Sequence, residues 1–315
     1  MRESGRLLHP EYFDWRGGAD IASAITPALK SLKDLAIEQG SQEAVKHDMT
    51  VAVQLCNDSH TDMWDLYHDI EAQARDVHGD VQLLFVNGNT YDENNSVITN
   101  AIQGMRRWGS DHISQIRYAA INRDRLNRST NFRADLLNTI VEKASANYIY
   151  TTVGHASLTN NLTLDEAVCA LHKGEKDGVA AAYGISVPGK NASFFERAGA
   201  RILGVNKLLR EGSPKAVLDA SAMGILAVES LAFRKDVVQE LGGFPTEYGT
   251  GGMGEMARKL LDNGHGIAEI TELAVHHTHG FGPVDSLHQL RAWQKTRQPA
   301  DFIEQEWQWH PNRGL

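Results

Sequence analysis

Short segments in which aliphatic and polar residues alternate predict a series of β-strands along the middle of the chain. From Met49 to Cys56 every second residue is apolar, which is the spacing of a strand with one buried face. The turn-forming residues Asn57-Asp58-Ser59 follow, and a helical pattern then runs from Thr61 to Asp76. A second strand is predicted at Val81–Val86 and ends at the turn Asn87-Gly88-Asn89.

These two strand–turn–helix units predict parallel strands that are joined by crossover connections. In such sheets, ligands bind beyond the carboxyl ends of the strands. The residues that end the two strands should therefore lie side by side at one ligand crevice. They are Leu55, Cys56 and Asn57 on the first strand, and Asn87 and Asn89 on the second.

Strand and helix patterns continue to alternate through the rest of the chain, which predicts an α/β fold with a single main domain. Further strands are predicted at Ser114–Ile121, Tyr148–Val153, Val179–Val187 and Ile267–His276. Further helices are predicted at Asn131–Ala144, Leu164–Lys173, Lys235–Leu241, Met253–Asn263 and Asp285–Trp293.

This pattern divides the chain of 315 residues into three regions. Residues 1–47 are predicted to form an N-terminal extension that is partly helical, because aliphatic residues recur there near the helical period. Residues 48–280 are predicted to form the main domain, which is long enough to bury a full core. Residues 281–315 are predicted to form a C-terminal helix and tail.

Composition narrows the function classes. The net charge of −9 argues against general nucleic-acid binding, although arginines cluster between Arg117 and Arg133. The N-terminal residues lack an apolar segment of signal-peptide length, and apolar runs such as Gly178–Val187 are too short to span a bilayer. The two cysteines, Cys56 and Cys169, lie in apolar segments, as expected for buried thiols in a reducing compartment. We therefore expect a soluble, cytoplasmic protein.

Common catalytic motifs of other α/β enzymes do not fit the sequence. No G-x-G-x-x-G follows a predicted strand, which argues against a dinucleotide-dependent dehydrogenase. The P-loop pattern G-x-x-x-x-G-K-[ST] does not occur, and neither does the G-x-S-x-G pattern of α/β-hydrolases.

Six segments, taken in order along residues 48–280, carry a family resemblance. They are VAVQLCNDS, LLFVNGNTYDEN, RLNRSTNFRADLL, ANYIYTTVGHASLTNNLTLDEAV, SAMGILAVESLAFRKDVVQELGGF and GTGGMGEMARKLLDNGHGIAEITELAVHHTHG. They resemble the landmarks of family 2 glycosyltransferases of the GT-A fold, and their order and spacing together are specific for that fold.

The resemblance implies a Rossmann-like GT-A domain, with a mostly parallel central sheet flanked by helices. It implies transfer of a sugar from a nucleotide-sugar donor to an acceptor, with a divalent ion, Mn²⁺ or Mg²⁺, as cofactor. The strand-end residues named above and Gly154 would bind the nucleotide. Arg128 and Asn131 would also bind it, since they lie in the segment that resembles the helix closing over the donor; the alternative is that they belong to a solvated helix face.

Val153-Gly154-His155 stands where the family carries its Asp-x-Asp motif. Both aspartates are absent, and His155 occupies the second position. Carboxylates serve there because a divalent ion that bridges phosphates prefers oxygen ligands, whereas imidazole binds Mn²⁺ or Zn²⁺ and suits Mg²⁺ poorly. Three interpretations of His155 stay open: a metal ligand, a neutral donor to phosphate, or an inert replacement.

Gly252-Met253 stands where the family carries its catalytic Glu-Asp pair. Glu255 is the only acid on this helix before Asp262, and a carboxylate at a helix start is well placed to deprotonate an acceptor hydroxyl. Glu255 is therefore the candidate base, and the alternative is a charge that complements the helix dipole.

Asn87 stands where the family carries the aspartate that recognises the nucleobase. Its amide can both accept a hydrogen bond from the nucleobase and donate one to it; the alternative is that Asn87 only forms a turn.

Closely spaced histidines follow the last predicted strand. His277 and His279 should point to one face, because residues two apart do so in a strand. One of them resembles a histidine that binds the metal in many GT-A enzymes, and His155 would complete a site of two or three imidazoles. The alternative is that the histidines are solvated or bonded to the backbone.

Two rival classes follow from the departures. A non-catalytic relative would bind only a nucleotide or a partner protein, and the loss of both acidic motifs favours it. A nucleotidyltransferase on a related fold would carry a glycine-rich, lysine-containing loop where this chain has LCNDSHTD. The acceptor stays open between a glycan, a small molecule, a protein and a nucleic acid, and a homodimer is compatible with the sequence.

Overall fold

The computed structural model describes most of the chain between residues 48 and 277. The described ranges are 48–55, 58–77, 79–88, 92–121, 132–159, 161–184, 186–189, 192–194, 197, 229–246 and 252–277. The extension predicted for residues 1–47 and the tail predicted for residues 281–315 lie outside the described residues.

Strands and helices alternate along the chain, as predicted. The strands are β1 (Met49–Leu55), β2 (Val81–Asn87), β3 (Ile113–Ala120), β4 (Tyr148–Val153), β5 (Ser157–Leu158), β6 (Val179–Tyr183), β7 (Ser186–Val187), β8 (Ser230–Arg234), β9 (Gly266–Glu269) and β10 (Val275–His276). The helices are α1 (His60–Ala74), α2 (Asp92–Trp108), α3 (Phe132–Lys143), α4 (Thr163–Asp177), α5 (Lys235–Glu240) and α6 (Gly252–Asp262). Among the described residues, no helix combines the length and apolar composition that crossing a membrane requires.

A seven-stranded sheet in the order β3-β2-β1-β4-β8-β6-β9 forms the centre of the domain. β8 runs antiparallel to both of its neighbours, and the other six strands share one direction. The predicted mostly parallel sheet is therefore confirmed. Leu55 pairs with Asn87, so the carboxyl ends of β1 and β2 lie side by side as the sequence predicted.

Helices cover both faces of this sheet. Val51 and Val53 of β1 pack with α1, α2 and α4, whereas Ala52 packs with α3, α5 and α6, because successive strand residues point to opposite faces. All seven residues of β1 are buried, so both of its faces lie in the core, whereas the alternation in the sequence predicted one buried face. Burying one aliphatic side chain contributes about 1.5–3 kcal/mol.

Two segments that were predicted as continuous strands are broken. Val179–Val187 divides into β6 and β7, and Ile267–His276 divides into β9, a 3₁₀ turn at Thr271–Leu273, and β10. At the break, the backbone of Gly184 passes so close to Leu273 that an added Cβ would lie 2.1 Å from its carbonyl oxygen. Beyond this crossing, β7 and β10 form a second sheet with β5, in the order β5-β10-β7.

The Gly-Gly-Phe turn after α5 is fixed at both ends. Gly242 and Gly243 have φ angles of 84° and 83°, which glycine adopts without strain. The N–H of Gly243 donates to the C=O of Val238 at 2.9 Å and closes α5 in a Schellman motif. The side chain of Asn138 on α3 accepts from the N–H of Phe244 at 2.8 Å and donates to its C=O at 2.9 Å.

Candidate functional site

Three distant segments bring Asp58, His155 and His277 into contact at the carboxyl edge of the main sheet. Asp58 follows β1, His155 lies in the turn after β4, and His277 follows β10. Nδ1 of His155 lies 2.7 Å from Oδ1 of Asp58, and its Nε2 lies 2.9 Å from Nε2 of His277. The two ring centroids are 4.8 Å apart. We call these three side chains the histidine relay.

Gly154 makes room for the relay. Its N–H donates to the C=O of Gln54 at 2.9 Å, which ties the turn after β4 to the end of β1. The Asp58 carboxylate packs so closely that a Cβ added to Gly154 would lie 2.6 Å from its Cγ. Any side chain at position 154 would therefore displace Asp58.

The small sheet carries His277 to the relay. His276 pairs with Ser157, which lies directly after the turn that holds His155. The N–H of His277 donates to the C=O of Val187 at 2.9 Å, so β7 fixes the backbone where β10 ends. The histidine's position thus depends on the break and change of sheet described above.

The relay is largely buried, and Asp58 favours protonation of its central ring. The side chain of Asp58 is 1% exposed and that of His155 is 22% exposed. Burial lowers the pKa of His155, but the hydrogen bond and charge of Asp58, with the charges of Asp62 and Glu229, outweigh burial and raise this pKa above its ordinary value. Asp58 therefore favours the imidazolium form of His155.

His277 shows the opposite shift. Burial, followed by the positive charges of His155 and Arg133, lowers the pKa of His277 well below its ordinary value. When His155 is charged, its Nε2 donates to Nε2 of a neutral His277. Within the relay, a positive charge is therefore favoured on His155, where Asp58 balances it, and disfavoured on His277.

Charged groups from three other elements surround the relay. Asp62 and Arg133 lie in the first turns of α1 and α3, and Glu229 directly precedes β8. Ser59 caps α1 by accepting from the N–H of Asp62 at 3.1 Å, and Thr152 Oγ1 donates to the C=O of Glu229 at 2.8 Å. Arg133 adds positive potential that favours an anion, while the two acids can accept from hydroxyl groups.

The relay fits a divalent ion that is held by two imidazoles. Two nitrogens that bind an octahedral ion such as Mn²⁺ at right angles, each at about 2.1 Å, lie about 3.0 Å apart, close to the 2.9 Å between the Nε2 atoms of His155 and His277. Asp58 stands where an outer carboxylate orients a metal-binding histidine. Within the described ranges, no group of three or more His, Cys, Asp or Glu side chains is placed to hold a metal ion.

Asn87 is buried at the end of β2 and orders the neighbouring strand ends. Its Nδ2 donates to the hydroxyl of Tyr118 at 3.0 Å, and its C=O accepts from the N–H of Ile121 at 3.0 Å. The N–H of Gly88 donates to the C=O of Leu55 at 3.0 Å. This segment is thus a well-bonded strand end beside β1, the position expected for a ligand-reading residue.

Glu255 lies in the first turn of α6 and is half-buried. Met256 and Leu260 on the same helix are buried in the core and anchor α6. Glu255 is not part of the relay, so the structure joins two of the predicted site residues, His155 and His277, and leaves this acid on a separate element.

Several predicted site residues lie outside the described part of the chain. They are Cys56, Asn57, Asn89, Arg128, Asn131 and His279. Arg117, at one end of the predicted arginine cluster, donates to the C=O of Lys143 at 3.1 Å, at the end of α3 and thus at the edge of the sheet opposite the relay. Arg133, at the other end of the cluster, is the one whose charge acts on the site.

Sequence reasoning missed Asp58 and Glu229 as site residues. The turn Asn57-Asp58-Ser59 was interpreted as a helix cap, and Ser59 is indeed the cap, which leaves Asp58 for the relay. Glu229 is a lone acid in the apolar segment AVESLAF. The sequence holds one signal for each residue. Asp58 is an acid that follows a strand, and Glu229 is a lone acid within an apolar run.

Comparisons with known proteins support the fold assignment. No protein-family model and no curated protein sequence matches the chain. A solved mannosyltransferase, PcManGT from Pyrobaculum calidifontis in complex with GDP-Man and Mn²⁺, is similar at 16% identity and TM-score 0.52, covering 86% of this chain and 71% of that one. Glucosyl-3-phosphoglycerate synthase from Mycobacterium tuberculosis, with Mn²⁺, UDP and phosphoglyceric acid, is similar at 13% identity and TM-score 0.50, covering 90% and 83%. This likeness shows the GT-A fold.

Proposed function

We propose that this protein is a glycosyltransferase that moves a sugar from a nucleotide-sugar donor to an acceptor nucleophile. The convergence of His155 and His277, 2.9 Å apart at Nε2, carries the proposal. It occurs at the carboxyl edge of a GT-A sheet, where ligands of open α/β sheets bind. An imidazolium at His155, which Asp58 favours, and the positive charge of Arg133 suit the diphosphate of such a donor.

The nucleotide would bind along the carboxyl ends of β1, β2 and β4. The proposed contacts are Leu55, Cys56, Asn57, Asn87, Asn89, Arg128, Asn131 and Gly154. Asn87 supports this role because its amide can accept the N–H of a base and also donate, which an aspartate cannot do. A base preference different from that of an aspartate-bearing site is expected.

A divalent ion would be held by His155 and His277, with His279 as a further candidate ligand. Imidazole nitrogens bind Mn²⁺ or Zn²⁺ better than Mg²⁺. When bound, such an ion neutralises the charge on the leaving diphosphate. Arg133 and the start of α3 would add positive charge that persists without any ion.

Glu255 is the proposed base for the transfer. Its carboxylate would take the proton of the acceptor hydroxyl while the acceptor oxygen bonds to the anomeric carbon and the bond to the diphosphate oxygen breaks. The first turn of α6 stabilises the ionised carboxylate, since the positive end of the helix dipole lies there. The nucleoside diphosphate leaves with the electrons of the broken bond.

Thermal-shift measurements with UDP, GDP, CDP and dTDP in the presence of MnCl₂ test the proposal. A ligand at 100 times its Kd stabilises the folded protein by about 2.7 kcal/mol. His155→Ala should lose most of this shift, whereas His112→Ala, on the exposed turn before β3, should keep it. The proposal is overturned if none of the four nucleotides shifts the wild-type transition.

A non-catalytic nucleotide-binding protein is the second candidate. It is favoured by one observation, the absence of acids from both Val153-Gly154-His155 and Gly252-Met253. Such a protein would show the nucleotide shift but would release no nucleoside diphosphate from any donor sugar. Turnover with a panel of UDP-, GDP- and dTDP-sugars, with and without candidate acceptors, separates the two functions.

A further inference from the structure

We propose that Asp58 is a positioning residue that restores, through His155, the carboxylate that the Val153-Gly154-His155 triplet lacks. The acid is supplied by the loop after β1 instead of the turn after β4, and it acts on the donor site through an imidazole. This inference rests on the proposed function, because it assigns Asp58 to the same diphosphate and metal site.

The hydrogen bond that His155 donates to Asp58 decides which nitrogen of His155 faces a ligand. An ionised carboxylate only accepts, so Nδ1 of His155, at 2.7 Å from Asp58 Oδ1, must carry a proton. Nε2 is then the only ring nitrogen that can offer a lone pair to an ion or present a proton to a phosphate. It is also the nitrogen that lies beside His277.

The burial of Asp58 makes this orientation rigid. Its side chain is 1% exposed, so water competes little for the carboxylate. A buried ionised carboxylate is costly unless it is hydrogen-bonded, and Nδ1 of His155 supplies a donor at 2.7 Å. His155 is therefore held in one ring orientation before any ligand arrives.

Gly154 and Asp58 depend on each other. A Cβ on Gly154 would lie 2.6 Å from Cγ and 2.8 Å from each carboxylate oxygen of Asp58. A side chain at the middle of the triplet and a carboxylate at position 58 are therefore mutually exclusive in this backbone. The glycine and the histidine of the triplet together accommodate one acid delivered from β1.

Mn²⁺ binding to the full-length protein without nucleotide, measured by calorimetry and by the spectrum of free Mn²⁺, tests the role of Asp58. Asp58→Ala should weaken Mn²⁺ binding about 10- to 100-fold, the usual effect of removing an outer partner of a metal ligand. Asp58→Asn should lose less, because its amide oxygen can still accept from Nδ1 of His155. Asp65→Asn, on the exposed face of α1, is the matched control and should bind as wild type does.

Nitrogen-15 NMR of the wild-type imidazole rings gives a second measurement that needs no variant at position 58. The proton of the neutral His155 ring should reside on Nδ1 in two samples. One is the Mn²⁺-free protein at a pH where His155 is neutral, and the other is the diamagnetic Zn²⁺ complex. A proton on Nε2 instead, or wild-type Mn²⁺ affinity in both Asp58 variants, would overturn the proposal. Wild type that binds nucleotide but neither Mn²⁺ nor Zn²⁺ would overturn it too, while the proposed function would stand.

Discussion

The Nε2 atoms of His155 and His277 lie 2.9 Å apart although 122 residues separate them along the chain. The contact exists because β10 pairs with β5, directly after the turn that holds His155. Their pKa values shift in opposite directions, since Asp58 supports a charge on His155, whereas burial and that charge oppose a charge on His277. Protonation of one ring therefore disfavours protonation of the other.

The first prediction concerns the titration of this pair in metal-free protein. His155 should titrate above 6.5 and His277 well below it, because Asp58 stabilises the first imidazolium and burial disfavours the second. Two-dimensional NMR of the ring protons against pH measures both. Superimposed titrations near 6.5 would contradict the proton assignment.

The same shifts give stability contributions of opposite sign. The contribution of His155 is fully present below about pH 6.5 and is lost as the pH rises through its raised folded-state pKa. The contribution of His277 is present above about pH 6.5 and is lost as the pH falls through its lowered folded-state pKa. Urea unfolding of His277→Gln should accordingly show a weaker loss of stability in acid than wild type.

The second prediction concerns Gly154→Ala. The added methyl group would overlap the Asp58 carboxylate, which has little room to move, so a loss of about 1–3 kcal/mol in unfolding free energy is expected. Mn²⁺ and nucleotide binding should weaken together. In an Asp58→Ala background the same change should cost much less, and equal costs in both backgrounds would disprove the steric coupling.

The third prediction concerns Glu255→Gln. The variant keeps the shape of the side chain but cannot accept the acceptor proton, so kcat should fall about 10²- to 10⁴-fold while nucleotide affinity stays nearly constant. Release of nucleoside diphosphate in the presence of acceptor is the measurement. Asp262→Asn, on the last turn of the same helix, should turn over like wild type. An unchanged kcat in the Gln variant would leave Glu255 as a helix-start charge.

The fourth prediction concerns Asn138→Ala. Loss of the side chain leaves the buried backbone of Phe244 without the N–H and C=O partners at 2.8 and 2.9 Å, which should cost about 1–3 kcal/mol. Urea denaturation measures the change. Asn263→Ala, which removes an exposed bond to the C=O of Lys259, is the control and should cost less. Equal losses would show that the clamp on the Gly-Gly-Phe turn contributes little.

Much of the main sheet could be predicted from local patterns. β1, β2 and β4 have strand periodicity and are followed by turn residues, so their bounds agree with prediction to within one residue. Helix α2 was not predicted from the sequence, because its first residues, Asp92–Asn95, are polar and show no apolar repeat. The breaks at Gly184 and Thr271–Leu273 were also missed, since they result from a backbone crossing that joins residues about ninety positions apart.

The candidate site was less accessible to sequence reasoning than the fold. The histidines at positions 155 and 277 could be nominated from their places at strand ends, but their contact requires the small sheet, which no local pattern indicates. Asp58 could not be separated from Ser59 as a capping residue, because both types favour helix starts. Only the three-dimensional path shows that Ser59 caps α1 and that Asp58 turns toward His155.

The return of β10 to β5 also affects the order in which the protein becomes competent to bind. Two of the relay's groups, on loops after β1 and β4, come from the first half of the chain, whereas the third arrives only when residues near 277 have joined β5 and β7. We expect such a distant pairing to form late, because closing a long loop costs entropy before any contact offsets it. A ligand that binds both histidines would then link the segments that fold early to the segment that folds late. It would dissociate before the whole domain unfolds.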